Sequence, residues 1–311
     1  MSSLALIRFL PTSANIPFIK IRVWAIAFSC LLVLGSLFEF ATAGINFGID
    51  FRGGIQTEVE TVEPADVEAM RSIVGALNLG EPRIQQTGDP RQVLIALPLQ
   101  AGEGLEGEEA QQEARRVLEA ALQENFPGIE LRGTEVIGGA VSGELVVKGF
   151  MAIGIALFLM LVYIWFRFEW QFSVGAILAL THDVIATVGM FSVTQMSFDL
   201  ATVAAILTIV GYSMNDTVIV YDRIRENLRK YKKMPLADVL NMSINDTLSR
   251  TILTSSTTLV ALLSLYMIGG ASLKSFAFAM IWGVVIGTYS SIFVAAPLLL
   301  FTDVKRDNTA S

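Results

Sequence analysis

Six long, nearly uncharged apolar runs dominate this chain, at residues 23–41, 149–166, 172–193, 200–220, 251–268 and 275–301. A helix needs roughly 17–25 apolar residues to cross a bilayer's hydrocarbon core, and each run is at least 18 residues long. A water-soluble core has no use for six such segments. With 53% hydrophobic and only 16% charged residues among 311, the composition agrees with a membrane class. The expected fold is an α-helical polytopic membrane protein with six transmembrane helices. The stretch "ATAG" at 41–44 offers an A-x-A cleavage pattern after the first run. However, 22 residues precede that run and it is long for a signal peptide, so an uncleaved anchor is expected.

Lys and Arg sort the connecting segments. Arg8, Lys20 and Arg22 precede the first run, Arg167 follows the second, and Arg223, Arg225, Arg229, Lys230, Lys232 and Lys233 follow the fourth; Lys305 and Arg306 close the chain. If six spans alternate, all of these fall on one side, which the positive-inside rule makes cytoplasmic, with both termini there. The expected organisation is a cytoplasmic N-terminus at 1–22, helix one at 23–41 and an external domain at 42–148. Helices two to six then occupy 149–301, with a cytoplasmic segment at 221–250, and the tail is 302–311. From Ala41 to Leu145 there are 18 acidic residues against 7 arginines, a net of −11, while the rest of the chain carries +4. The acidic excess belongs to one external domain, where it keeps a small fold soluble, and gives no basis for a nucleic-acid partner. The basic residues after the fourth run are expected to anchor a helix at the inner headgroups, with contact to a cytosolic motor as the alternative. The single cysteine, Cys30, excludes an intrachain disulfide and a cysteine-based metal site.

Between the first two runs the periodicity changes. "IQTEVE" at 55–60 alternates as a strand, "PADVEAMRSIVGALN" at 64–78 repeats apolar residues at helical spacing after a proline start, and "RIQQTG" at 83–88 is short and strand-like. "QVLIALP" at 92–98 reads as a strand, "EEAQQEARRVLEAALQENF" at 108–126 as a helix ended by Pro127 and Gly128, and "IELRGTEVI" at 129–137 as a strand. The order βαββαβ describes an external α+β domain of ferredoxin-like type between helices one and two.

Just before it stands "GIDFRGG" at 48–54, whose glycines suit a chain that turns sharply out of the membrane into a strand. By physics alone this is a linker: it lacks the Lys-Ser/Thr of a phosphate loop and is not G-x-G-x-x-G. The segment resembles, however, the GxDFxGG signature that opens the external domain in the SecD/SecF family of bacterial protein-export subunits, at Gly48, Asp50, Phe51, Arg52, Gly53 and Gly54. Further matches are "HDV" at 182–184, "IVGYSMNDTVIVYDRIREN" at 209–227 and "DTLSRTILTSSTTL" at 246–259. They run in the family's order over nearly the whole chain. "SMNDTVIVYDRIREN" is similar to the SecF branch, where SecD typically has a DANVLIFERI pattern. One departure is Gly139, where the family commonly has proline, which bears on the stiffness of the link from strand to membrane.

The resemblance implies an accessory subunit of the Sec protein translocase that uses the proton-motive force to promote export of polypeptides across the cytoplasmic membrane. It implies SecD, the SecYEG channel and unfolded exported polypeptides as partners, with YajC-like and YidC-like accessory proteins beside them, and no cofactor other than protons as coupling ion. The competing class is a self-sufficient proton-driven exporter of small molecules of the resistance-nodulation-division type. One six-span set with one external domain resembles half of such a twelve-span pump, which implies a partner.

Charged residues inside the runs carry the chemistry. Asp216 sits in the fourth run, where an ionisable group costs roughly 2.5–3.5 kcal/mol and must face protein or water. Arg250 opens the fifth run from the same side, at similar depth. Desolvation disfavours the carboxylate and a guanidinium favours it, which leaves three readings: a static ion pair, a proton-coupling element, or an interfacial charge reaching water. The family resemblance implies coupling through Asp216 and Arg250. Asp183 is a mid-span carboxylate that also needs an explanation, and His182 beside it either relays protons or packs with a hydrogen bond. Thr254 and Thr257, with Ser255, Ser256 and Thr258, either line a polar path or bond to neighbouring helices. Gly283 and Gly287 form a small-residue contact face. No nucleophile elbow, H-E-x-x-H site or nucleotide loop occurs, so neither a covalent catalytic site nor a metal site is expected.

Overall fold

A computed structural model describes residues 15–87, 89–102, 104–302 and 304. Arg8, Lys305 and Arg306, on which part of the charge asymmetry rests, lie outside the described residues, as does most of the expected tail.

Among the described residues, six helices are long and apolar enough to cross a membrane. They are α1 (Arg22–Ala43), which continues from a 3-10 turn (Phe18–Ile21), and, after the external domain, α5 (Gly139–Arg167), α6 (Trp170–Thr194), α7 (Leu200–Lys230), α8 (Leu236–Ile268) and α9 (Ala271–Ser290). The last passes through a π-helical turn (Ser291–Ala295) into a final helical turn (Ala296–Leu298). Between 56% and 61% of the apolar stretch is buried in the spans formed by α6, α7 and α9, against 6–17% in those of α1, α5 and α8. The first three form the centre; the others turn apolar side chains outward. Small residues let α7 and α9 approach closely: a Cβ on Gly283 would sit 2.3 Å from Ile209 Cδ1, and one on Gly287 would sit 3.0 Å from Ser213 Cβ.

Two helices overrun their apolar runs. α7 continues to Lys230 and α8 begins at Leu236, so most of the expected segment 221–250 is helical hairpin. Its inner face buries Tyr221, Ile224, Val239, Leu240 and Ile244. Asn227 Nδ2 donates to Ser243 Oγ at 3.0 Å, and Arg223 Nε donates to Asp246 Oδ2 at 2.8 Å. Arg223 thus braces the hairpin, and the Arg225 guanidinium stacks 5.6 Å from the Phe168 ring.

The external domain contains β1 (Gly54–Glu60), α3 (Val67–Ala76), β2 (Arg83–Gln86), β3 (Gln92–Leu97), α4 (Gly104–Asn125) and β4 (Glu130–Ile137), in the expected order. The four strands form an antiparallel sheet in the spatial order β2-β3-β1-β4. Strand alternation sends Ile55 and Val59 of β1 and Val93 and Ile95 of β3 to one face, where Met70, Val74, Leu118 and Leu122 cover them, all fully buried. Asp66 caps α3 by accepting the Ala69 N–H at 3.0 Å. The other face carries Gln56, Gln85, Gln92 and Glu135 and looks across a cavity of about 1220 Å³ toward the ends of α7, α8 and α9. β4 passes into α5 with Gly138 as the N-cap. The second span therefore begins at Gly139, ten residues before its apolar run, and the link to the membrane is a helix start with no loop.

Candidate functional site

Asp216 faces inward from α7 and is 7% exposed. Its Oδ1 accepts the Thr251 hydroxyl of α8 at 2.8 Å. The Ser291 hydroxyl, on the π-turn after α9, also faces this carboxyl. Oδ2 is buried and accepts no hydrogen bond within bonding geometry. Arg250 is exposed, and its guanidinium makes no ion pair or hydrogen bond among the described residues; it acts on Asp216 only as a nearby charge. The contact that similar depth makes geometrically reasonable for Arg250 is thus made by Thr251, the next residue along. Successive helical residues point about 100° apart, so when Thr251 turns to α7, Arg250 turns away.

The second carboxylate, Asp183 of α6, is fully buried. Oδ1 contacts His182 Nδ1 at 2.9 Å, and Oδ2 accepts the hydroxyls of Ser213 from α7 and Ser290 from α9, the latter at 2.7 Å. His182 and Asp183 therefore act as a pair despite being sequence neighbours. His182 Nε2 is buried without a partner, and its ring lies 6.1 Å from that of Tyr289.

Ser290 and Ser291 stand between the two carboxylates. Both donate to Gly287 O, at 3.1 and 2.9 Å, and Ser291 Oγ lies 2.9 Å from Thr217 Oγ1 of α7. The π-turn begins at this point. Single π-turns inside α-helices recur at functional sites because they shift the register of one face and free backbone carbonyls. Here Ala295 O accepts the buried Tyr221 hydroxyl at 3.0 Å.

Thr254 and Thr257 are on the exposed side of α8 and donate to their own helix, to Arg250 O at 2.9 Å and Leu253 O at 3.0 Å. The structure does not bring them to the carboxylates. Ser255 alone of that run points inward, at 2.6 Å from Thr288 Oγ1 of α9, and accepts the Tyr212 hydroxyl at 3.2 Å. Ser213, Thr217, Thr251, Ser290 and Ser291 were not singled out by sequence reasoning. The available signal was the hydroxyls flanking the charged position, Ser213 three before and Thr217 one after Asp216, which the structure turns to Asp183 and Ser291.

The segment "GIDFRGG" forms the joint between the external domain and the bundle. Ile49–Arg52 is one helical turn, α2, ended by Gly53 and Gly54 at φ of +72° and +130°. A Cβ on Gly54 would lie 2.2 Å from Leu97 O, so close strand approach and left-handed backbone both demand glycine. Phe51 packs edge-on to Phe47 at 5.9 Å and lies 6.1 Å from Phe198. The chain beside it is stitched to the α6–α7 link by Gly48 N–H to Phe198 O and Phe198 N–H to Asn46 O, both 2.8 Å. Asp50 Oδ2 accepts the Leu200 N–H at 2.8 Å, and Asp199 caps α7 through a capping box with Thr202. Burial pushes the Asp199 carboxyl above its usual range, against the Thr202 hydrogen bonds that hold it down. Arg52 faces Arg83, and burial followed by that like charge lowers its pKa.

Among the described residues no cluster of His, Cys, Asp and Glu has the makings of a metal site.

Comparison with known proteins gives consistent matches. Residues 117–305 match the family model "Protein export membrane protein SecD/SecF, C-terminal", and residues 40–65 match "SecD/SecF GG Motif". The protein translocase subunit SecF of Cereibacter sphaeroides is 44% identical over 304 residues, covering 96% of this chain and 93% of its own. The SecF subunit of Rickettsia akari is 42% identical, with 97% of each chain covered. The crystal structure of SecDF, a translocon-associated membrane protein from Thermus thermophilus, superposes with a TM-score of 0.83 at 35% identity over 94% of this chain. A second SecDF structure, in a super-membrane-facing form, gives 0.67 at the same identity. This chain spans 39% of the solved SecDF chain.

Proposed function

The chain belongs to the SecF family of protein translocase subunits and is a multi-pass membrane protein, and we propose that it couples proton movement through Asp216 to motion of its external domain. The partner is SecD, a reading supported by the match of this chain to 39% of the solved SecDF chain. The pair works beside the SecYEG channel in the cytoplasmic membrane, with both termini cytoplasmic, on unfolded polypeptides emerging outside, and YajC-like and YidC-like proteins accompany it. Protons are the coupling ion; no other cofactor and no covalent chemistry enters.

The observation that carries this reading is the state of the Asp216 carboxyl. One oxygen is held by Thr251 and the other is buried without a donor. A buried carboxylate normally has both oxygens hydrogen-bonded, which makes Oδ2 the oxygen that protonation would stabilise. Taking up a proton removes a charge that costs roughly 2.5–3.5 kcal/mol within a bilayer and changes how α7, α8 and α9 hold each other. α7 is continuous from Asp216 back to Leu200, whose N–H is held by Asp50 of the external-domain joint. A shift of α7 is thereby delivered to the Gly53–Gly54 turn from which β1 starts.

Asp216→Asn tests this. In vesicles carrying SecYEG, SecD and this chain, the variant should assemble at native yield and lose the response of preprotein movement to a proton gradient. A full response in a normally assembled complex removes Asp216 from the mechanism. Loss of assembly together with activity points to a static structural role.

A further inference from the structure

We propose that Ser290 and Ser291 join the His182–Asp183 pair to Asp216 as a single proton path, with the two serines as its relay. The proposal rests on the proton-coupling reading of Asp216 and identifies the residues through which its proton travels.

The contacts run across three helices, with one gap, between Ser290 and Ser291. His182 Nδ1 meets Asp183 Oδ1 at 2.9 Å, and Asp183 Oδ2 accepts Ser290 Oγ at 2.7 Å. Ser290 and Ser291 both donate to Gly287 O at 3.1 and 2.9 Å, which places their hydroxyl oxygens within about 6 Å of each other. Ser291 then contacts Thr217 Oγ1 at 2.9 Å and faces the Asp216 carboxyl. Each end has a buried polar atom with no protein partner among the described residues, His182 Nε2 at one and Asp216 Oδ2 at the other. Buried polar atoms are normally paired, so these two ends are where a proton or a bridging water would be stabilised.

The two serines share a backbone acceptor just before the π-turn. Ser290 donates to the carbonyl three residues back and Ser291 to the one four residues back, the usual back-bonding of helical serines, and both reach Gly287 O. Rotation of either serine about χ1, or one bridging water, closes the remaining span. The transfer balances as a hop once the Ser290 hydroxyl, which donates to Asp183 Oδ2 in the structure, has turned to accept: a protonated Asp183 gives its proton to Ser290 Oγ, Ser290 passes its own hydroxyl proton to Ser291 directly or through the bridging water, and Ser291 passes its own to Asp216 Oδ2. Each serine ends as a hydroxyl, Asp183 as a carboxylate and Asp216 as an acid, with one proton moved and no change of oxidation state. Among the described residues, the titratable or charged groups facing this path are few. They are His182 on α6 and Tyr289 on α9 near Asp183, and Arg250 on α8 near Asp216.

The test uses the full chain assembled with SecD in lipid nanodiscs and follows carboxyl infrared bands after a pH jump. The Asp216 band is assigned with D216N and the Asp183 band with D183N. In the S290A/S291A variant the protonated Asp216 band should rise roughly tenfold or more slowly than in the native protein, in line with losses on removing a positioned proton-transfer group. It should reach the same final amplitude, and S290T/S291T, which keeps both hydroxyls, should retain the native rate. A purely structural role would alter the amplitude or the assembly yield and leave the rate of the assembled fraction unchanged. A native rate in the double variant overturns the relay. Should the double variant fail to assemble, S290A and S291A singly carry the same forecast. Failure of the parent reading looks different: Asp216 shows no protonation band in the native protein at any pH.

Discussion

The carboxylate of Asp50 accepts the backbone N–H of Leu200 at 2.8 Å, across 150 positions of sequence. Together with the Asp199 capping box, it gives the first turn of α7 two carboxylates, one local and one from the joint of the external domain. A helix N-terminus carries partial positive charge and unpaired N–H groups, so this end of α7 is where an acidic side chain from elsewhere gains most.

Asp50→Ala should therefore uncouple the domain from the bundle. Expected is a loss of about 0.5–2 kcal/mol, as for a lost cap, read as a lower melting temperature in detergent. The gradient response of export should fall although Asp216 still takes up its proton. An unchanged gradient response would show that force is transmitted elsewhere.

Gly54→Ala should be severe. The position has φ of +130° and a Cβ would meet Leu97 O at 2.2 Å, so β1 and β3 would have to part. Limited proteolysis should cut the external domain in this variant. Gly143→Ala, inside α5 where a Cβ meets nothing within 4 Å, should be neutral or stabilise by up to about 1 kcal/mol.

Thr251→Val should matter more for assembly than Arg250→Gln. It leaves both Asp216 oxygens without a tight donor in a buried place, at a cost of about 1–3 kcal/mol, whereas the Arg250 side chain is exposed. Complex yield and melting of the two variants, compared side by side, decide the order.

Glu135 gives a pH prediction. Burial first, and then the charges of Asp50, Asp199 and Glu58, push its carboxyl above the usual value. A carboxyl raised on folding binds protons more tightly in the folded state. Its effect is therefore absent below the ordinary carboxylate pKa, and stability falls as pH rises from there to the raised value. Glu135→Gln should flatten that fall, so melting temperatures of variant and native should converge in acid and diverge, with the variant higher, toward neutral pH. Parallel melting curves across that window would contradict it.

Hydropathy located all six spans and the βαββαβ order because lipid solvation and strand or helix periodicity are written into consecutive residues. It placed the start of α5 at 149 rather than 139 and stopped α7 at 220 rather than 230. The extra turns carry polar and charged residues that end an apolar run, and that of α7 is held by the facing turns of α8, as Asn227 is by Ser243. Asp216 and Asp183 stood out in the sequence because a charge in an apolar run is costly wherever it points. Their partners did not. Whether Arg250 or Thr251 meets Asp216 depends on the rotation of α8 about its own axis, which no local pattern records. A serine costs little in a membrane helix, so nothing in the run at 275–301 marked Ser290 and Ser291. The chain's one-dimensional pattern determined which segments enter the membrane and which residues there need a reason. The packing of α6, α7 and α9 decided which hydroxyls answer them, because hydrogen bonds between helices depend on rotation and register that only the assembled bundle sets.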